Sequence, residues 1–277
     1  MQKESLYTIK QKLKEDSDYI YRQQLLNSIN GWFSPASHGF FSFFLDAQNK
    51  LCIQGSLGEI GVWEGKSATI ICNFACEKEN VFLIDPLIEK NKETILRNID
   101  SVCRRIPEKL QFCNYVSDSF LKINSNPELI NSFRFFHIDG CHTGTNVYSD
   151  MELADKLLSE DSILVVDDFF NPGYPQITEA VYRFIFMNPY KFRIFFEAFN
   201  KAYLCRPGCY SFYYSYTMEK IQQDMLSKGM AFTIKKTSSL GDCYTLAAEE
   251  YQPQIDLLDG MQGPDWMPDK LDYIENR

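Results

Sequence analysis

The sequence predicts a doubly wound α/β fold: a mostly parallel sheet covered by helices on both faces, with an antiparallel hairpin at one edge and a helical cap before it. Three observations predict it. Short apolar runs recur, among them VFLI (81–84), FRFFHI (133–138) and SILVV (162–166). Segments of helical periodicity separate them. Glycines and carboxylates collect directly after the runs, in GEIGVWEG, LIDP, HIDGCH and VVDD. Strands apolar on both faces and alternating with helices belong to a parallel sheet with two covered faces. Glycines and acids at the strand ends mark the edge where such Rossmann-like sheets bind ligands.

The elements follow in order. Residues 5–30 read as helix, with Leu6, Ile9, Leu13, Tyr19, Leu25 and Leu26 among polar residues. Gly31 to Gly39 holds Ser, Pro and Gly and reads as a loop, and a second helix covers Phe40 to Ala47. A first strand ends within Gly58 to Val62, followed by a helix over Ser67 to Ala75. Val81 to Ile84 is a strand, Glu89 to Arg105 a helix and Leu110 to Val116 a strand. Between the strands Phe133 to Ile138 and Ser162 to Val166 lies an amphipathic helix. Val147, Met151, Ala154 and Leu158 share its apolar face, with Asp150 and Asp155 turned away. Phe192 to Phe196 and Ala202 to Cys205 form the antiparallel hairpin. From about Gln252 an acidic tail rich in Gly and Pro is expected to pack through Trp266 and Met267. No linker divides the chain. It reads as one domain, with a cap over 1–50, a core over 51–210 and an extension and tail over 211–277.

Composition narrows the function. The chain has 277 residues, 45% hydrophobic and 23% charged, as in ordinary globular proteins. A formal net charge of −9 argues against nucleic-acid binding, which needs clustered Lys and Arg. The polar start carries no signal-peptide core, and no apolar run could span a bilayer, so a cytoplasmic location without membrane contact is expected. The nine cysteines are scattered and read as reduced thiols. The pairs Cys72/Cys76 and Cys205/Cys209 lack the spacing and histidine partners of a zinc site.

Chemistry is expected where the strands end. After the first, Gly61 and Gly65 allow a tight turn and a close backbone approach. Ser67 lies near the start of the next helix, whose free amides favour an anion. Asp85 closes the second strand, roughly twenty residues beyond the glycine turn. An acid there can accept hydrogen bonds from ribose hydroxyls. Ser117, Asp118 and Ser119 follow the third strand, where an adenine edge would be met. The fourth ends in Asp139, with His142 three residues on, and the fifth in Asp167 and Asp168. Three converging carboxylates would raise one another's pKa, and a hard divalent cation with oxygen ligands removes that conflict. A neutral imidazole beside them is a good general base near neutral pH. His137 reads as core.

Taken together, GEIGVWEGKS (58–67), FLIDP (82–86), FFHIDGCH (135–142) and ILVVDDFFNPGYPQITEAV (163–181) resemble the class I S-adenosylmethionine-dependent methyltransferases. More narrowly, they resemble the macrocin O-methyltransferase-like group of natural-product sugar methyltransferases. The resemblance covers roughly residues 50 to 210. It implies that Glu59, Gly61 and Gly65 line the methionine part of S-adenosylmethionine, with Ser67, Asp118, Ser119 and Asp139 also on the cofactor, and that Asp85 holds the ribose. It implies Mg2+ or Mn2+ on Asp139, Asp167 and Asp168, with His142 or one of those carboxylates as base. The methyl group would pass to a hydroxyl of a small-molecule acceptor, with self-association of the chain left open. Trp63 and Glu64 depart from the small residues expected in the glycine turn, and the cap and the chain after 210 match no known pattern.

Three other readings compete. A P-loop nucleotide enzyme would use Gly65-Lys66-Ser67, but such a loop needs four residues between its first Gly and the Gly-Lys pair. Gly61 leaves three and Gly58 six. A nicotinamide-dependent enzyme lacks its G-x-G-x-x-G. A non-catalytic methyltransferase fold is disfavoured by the intact Asp139, His142, Asp167 and Asp168.

Overall fold

The computed structural model describes residues 17–103, 105–238 and 244–250. In chain order the elements are α1 (Ser17–Asn27), α2 (Pro35–Lys50), β1 (Ser56–Ile60), α3 (Lys66–Phe74), β2 (Asn80–Ile84), α4 (Ile88–Val102), β3 (Lys109–Cys113), α5 (Phe120–Ile123) and β4 (Phe133–Ile138). There follow α6 (Gly144–Leu157), β5 (Leu158–Asp167), α7 (Pro175–Met187), β6 (Arg193–Ala198), β7 (Lys201–Cys205), α8 (Tyr210–Ser227), β8 (Phe232–Ser238) and β9 (Tyr244–Glu250).

All the strands join one nine-stranded sheet, ordered β3-β2-β1-β4-β5-β7-β6-β9-β8. The five strands from β3 to β5 run parallel, and β7 is antiparallel to both β5 and β6. The chain winds outward from β1 in both directions, so the switch point lies between β1 and β4, where open α/β sheets bind ligands. The expected doubly wound sheet and antiparallel hairpin are both present. Beyond the hairpin, β9 adds parallel to β6 and β8 antiparallel to β9, so β8 is the outer strand.

Alternation along the strands splits the core into two layers. Val81, Leu83, Ile163, Val165 and Tyr203 face α2, α3, α4 and α8, whereas Phe82, Leu164, Val166 and Leu204 face α5, α6 and α7. Each layer is close-packed by aromatic edges, as where Phe41 meets Phe135 with ring centroids 5.3 Å apart.

Four expectations at the level of elements are corrected. The segment Gly31 to Gly39 is not wholly a loop, because α2 begins at Pro35. Ser34 caps it, accepting from the Ser37 amide at 3.1 Å, and Pro35 takes the first turn, where a missing N–H does no harm. Gly39 had suggested a break. It sits inside the helix because α8 crosses there: a Cβ would lie 2.6 Å from the Met225 and Met230 methyls. Secondly, α2 is more than a cap. Phe40, Phe41, Phe44 and Leu45 are fully buried and form part of one core layer. Thirdly, Asp150 does not turn to solvent but is buried on α6. Fourthly, Leu158 belongs to β5. The first helix is described only from Ser17, and the expected tail beyond Gln252 lies outside the described residues. Among the described residues no helix is long and apolar enough to cross a membrane. None of their cysteines forms a disulfide.

Candidate active site

A cleft of about 970 Å³ opens over the carboxyl ends of β1, β2, β4 and β5. Its floor begins at the glycine turn. Gly61 has φ +82°, and a Cβ there would stand 1.8 Å from the Asp139 carbonyl oxygen. The ends of β1 and β4 therefore touch backbone to backbone, and only glycine fits. Gly65 also has a positive φ, +81°, but its Cβ position faces Ile95 on α4 at 3.0 Å. It serves helix packing and is not among the residues lining the cleft. Ser67, on the first turn of α3, lines it.

Asp85 locks this turn to β2. Its Oδ2 accepts from the Val62 and Trp63 amides at 3.0 and 3.3 Å, and its Oδ1 from the Leu87 amide at 2.7 Å. A carboxylate offers about four acceptor sites, so room remains for ligand hydroxyls. The loop before α2 covers the turn from above. Lys66 Nζ donates to the Gly31 carbonyl at 3.1 Å, and Trp32 and Trp63 lie with ring centroids 6.3 Å apart.

At the far end of the cleft the expected residues shift by one or two positions. Ser117 lines the cleft, whereas Asp118 and Ser119 do not. The Asp118 carboxylate instead accepts from the Ser149 hydroxyl at 2.5 Å. The Ser119 amide closes a turn on the Val116 carbonyl. The Ser117 hydroxyl donates to Asp150, which also lines the cleft. Burial pushes the Asp150 carboxyl up to about 6, against the Ser117 hydrogen bond.

The carboxylates at the ends of β4 and β5 separate into two groups that share Asp139. The inner group is His137, Asp139 and Asp167, and the outer is Asp139, His142 and Asp168. Asp168 has φ +56°, which swings it away from Asp167. Its Oδ1 accepts from Asn171 Nδ2 at 2.6 Å. His142 Nε2 lies 3.2 Å from Asp168 Oδ2 and 3.5 Å from Asp139 Oδ1, and its ring packs on Tyr174 at 4.4 Å. Contact with Asp139 first, and then the Asp168 charge, raises the His142 pKa against burial. Burial, followed by the Asp167 charge, pushes Asp139 up to about 6.

The inner group is already paired. Glu59 is fully buried on β1, away from the cleft, with Oε1 2.8 Å from His137 Nδ1. The resemblance put Glu59 beside the methionine part of the cofactor, and the fold instead seats it off the cleft, behind His137. His137 Nε2 faces Asp167 Oδ2 at 3.6 Å, an ion-pair distance too long for a hydrogen bond. Burial alone would lower the His137 pKa, but the two flanking carboxylates raise it to about 9. The Lys201 ammonium donates to Asp167 Oδ2, and the Asp168 amide donates to Asp167 Oδ1 at 2.8 Å. Burial would raise the Asp167 pKa, but Lys201 and His137 hold it well below the usual carboxylate range. The three carboxylates expected to share a metal are therefore not assembled as one ligand set. Asp167 faces a lysine, and the residues present do not fit the three-aspartate site.

Residues 59–169 match the family model of a methyltransferase domain. The segment from β1 to the end of β5 is thus similar to a methyltransferase domain. Solved structures share its fold. An O-methyltransferase from Bacillus cereus in complex with SAH is 17% identical, with 72% of this chain and 96% of that one covered at a TM-score of 0.53. A Corynebacterium glutamicum protein is 10% identical, with 72% and 93% covered at 0.54. The O-methyltransferase NovP is 14% identical, with 61% and 78% covered at 0.50. No curated protein matches the chain in sequence.

Within the matched segment and its flanks, the fold brings Gly61, Ser67, Asp85, Asp139, His142, Asp167 and Asp168 to one cleft and leaves Glu59, Gly65, Asp118 and Ser119 off it. The sequence reading did not single out Ser117's partner Asp150, the loop from Asn30 to Ser34, or Lys201 as lining this cleft. For Lys201 a signal exists, since KAYLC is an otherwise apolar strand that opens on a lysine.

Proposed function

We propose that the chain is an S-adenosylmethionine-dependent O-methyltransferase acting on a hydroxyl group of a small molecule, with sugars and natural products as the acceptor class. One observation carries this reading. Asp85, at the end of β2, and the cluster of Asp139, His142 and Asp168, at the ends of β4 and β5, open onto the same cleft. A nucleoside held at Asp85 and an acceptor held at the cluster would then share one cleft. The fold shared with an O-methyltransferase in complex with SAH supports the choice of ligand, and NovP supports the choice of oxygen as acceptor.

When bound, the cofactor supplies an electrophilic methyl group on a sulfonium. The protein does the rest. Asp85 accepts from the ribose hydroxyls with its free lone pairs. The Ser117 hydroxyl and Asp150 meet the base edge. The α3 amides beside Ser67 receive the carboxylate of the methionine portion. At the other end His142 Nε2, held between Asp139 and Asp168, takes the proton from the acceptor hydroxyl as the oxygen attacks. Tyr174 packs against the His142 ring. Asp167 takes no divalent cation in this step, because it is already paired with Lys201.

Calorimetry with S-adenosylhomocysteine, beside ATP and NAD as controls, tests the cofactor. Saturable binding of the first alone is expected, and binding of ATP or NAD instead would overturn the reading. Mass spectrometry of products from a panel of glycosides and phenols then tests the acceptor, with a gain of one methyl group on oxygen as the expected result.

A further inference from the structure

Lys201 opens β7 and stands directly opposite Asp167 in the antiparallel ladder with β5. Partners in such a ladder project from the same face with Cβ atoms about 5 Å apart. The pairing is thus imposed by strand register and not by the choice of one side-chain rotamer. The start of β7 at Lys201 is set by the two-residue turn after β6, where Phe199 and Asn200 both have positive φ, 49° and 58°. This two-residue turn suits the twist of a hairpin. The lysine side chain is 4% exposed, and its ammonium lies 5.4 Å from the centre of the Phe33 ring. A long flexible cation is seldom buried so far unless it has a partner.

Asp167 is the element common to both accounts of the site. In the inner group its ligand-type atom lies within 4.8 Å of those of Asp139 and His137. Lys201 donates to that same group of atoms. Its charge also acts on Asp139, where it opposes the rise caused by burial. A divalent ion on Asp167 would have to expel the ammonium from its buried place or share the carboxylate with it at close range. Like charges at a few ångströms in a partly desolvated site repel strongly. Asp167 Oδ1 already accepts from the Asp168 amide, and an ion on its remaining lone pair would still lie close to the Lys201 ammonium.

We infer that the Lys201 ammonium is the resident cation of the inner acidic group, standing where the three-aspartate pattern would put a metal, so that Asp167 is not a metal ligand in this chain. Lys201 is then a positioning residue. It fixes Asp167, which with Glu59 flanks His137, and it leaves Asp139, His142 and Asp168 as the groups that face the acceptor. The inference rests on the proposed acceptor site only for the last of these statements. Cation occupancy itself can be read without substrate.

Mn2+ binding to the full-length protein, followed by electron paramagnetic resonance, provides the test. Lys201→Met removes the ammonium and frees the Asp167 oxygen it holds, so Mn2+ affinity should rise at least about tenfold over wild type. Lys201→Arg keeps the charge and should leave affinity within about threefold. A merely structural lysine would not raise metal affinity when removed. Equal or weaker binding by a folded Lys201→Met protein would overturn the inference. Should that variant not fold, the double substitution Asp167→Asn/Lys201→Met removes both charges together and orphans neither. Retention of wild-type Mn2+ behaviour in the double variant supports the inference, whereas a tenfold or greater loss identifies Asp167 as a ligand and overturns it. Failure of S-adenosylhomocysteine binding in wild type would instead strike the proposed function and leave this result standing.

Discussion

Gly61 and Asp139 meet across the β1–β4 switch point, with no room between the α-carbon of one and the carbonyl oxygen of the other. A Cβ at position 61 would lie 1.8 Å from that oxygen. Gly61→Ala must therefore push β4's end away and also hold a side chain at φ +82°. The conformational strain alone is about 1–3 kcal/mol. We expect a Tm lowered by at least about 4 °C, together with loss of S-adenosylhomocysteine binding, because Asp85 hangs from the same turn. Scanning calorimetry with and without ligand measures both. A variant with wild-type Tm would show that the contact is looser than drawn.

Asp85→Ala is expected to weaken S-adenosylhomocysteine binding by about 1.5–3 kcal/mol, the range for hydrogen bonds to a charged group. Three backbone amides lose their acceptor at the same time. Asp85→Asn keeps an acceptor oxygen and should lose less. Titration calorimetry on the two variants checks the order, and equal affinities in all three proteins would remove Asp85 from the site.

Asp150 supplies a pH signature. Its carboxyl is raised from 3.8 to about 6 in the folded chain by burial. The folded state therefore binds the proton more tightly than the unfolded one. Its stabilising contribution is complete below about pH 4 and is lost as pH rises through 6. Asp150→Asn has no charge to bury and still accepts from Ser117. It should be more stable than wild type at pH 7, by about 1–3 kcal/mol given 1.36 kcal/mol per unit. The advantage should vanish below pH 4. Denaturant melts at pH 4 and 7 measure it. An unchanged difference between the two proteins across that range would mean that Asp150 is not held protonated by the fold.

At the opposite ends of the strands, Arg134 is fully buried and held by Glu79 through two bonds of 2.7 and 2.8 Å. Gln48 Oε1 and the Phe74 carbonyl, each at 3.0 Å, take two more of the guanidinium's N–H groups. Glu79→Ala leaves a buried cation unpaired, a loss of about 3–5 kcal/mol. Tm should fall by roughly 6–20 °C. The pair lies away from the cleft, so surviving folded protein should bind S-adenosylhomocysteine normally. A drop below 2 °C would indicate that water reaches Arg134.

What was legible in the sequence follows a physical line. Runs such as VFLI and SILVV announce buried parallel strands, and the residues just after them must lie at one edge of the sheet. That logic reaches Gly61, Asp85, Asp139 and Asp168 from spacing alone. It does not reach contacts set by strand register across the sheet. Lys201 meets Asp167 only because β7 inserts between β5 and β6, a pairing made over 34 residues. Asp150 was misjudged for a related reason. Its helical face looks polar, yet the loop after β3 packs over it and supplies the Ser117 hydroxyl. The start of α2 was obscured by Gly39, whose reason for being glycine lies in α8. Asp118 and Ser119 miss the cleft because turn residues one apart point in different directions.

The proposed reaction assigns the acceptor's proton to His142. A hydroxyl is a weak nucleophile until its proton leaves, and a sulfonium donor brings no base. The imidazole lies within 3.5 Å of both Asp139 and Asp168, and the side chain is 34% exposed, so it reaches the cleft while its orientation is held. The carboxylates can fix the ring and stabilise its charge once it takes a proton. General base catalysis contributes roughly a hundred- to ten-thousand-fold. His142→Ala should therefore lower kcat by about that factor, with S-adenosylhomocysteine affinity within about twofold of wild type. Added imidazole should restore part of the rate, because truncation leaves a space beside Tyr174 into which a free base can enter. Rescue separates base from scaffold: a residue that only packs on Tyr174 and caps the entry to α6 would lower Tm when truncated, yet the variant would turn over unaided and ignore imidazole. That outcome would pass the role to Asp139, which shares the outer group and whose carboxyl, pushed up to about 6, is the next strongest base facing the acceptor.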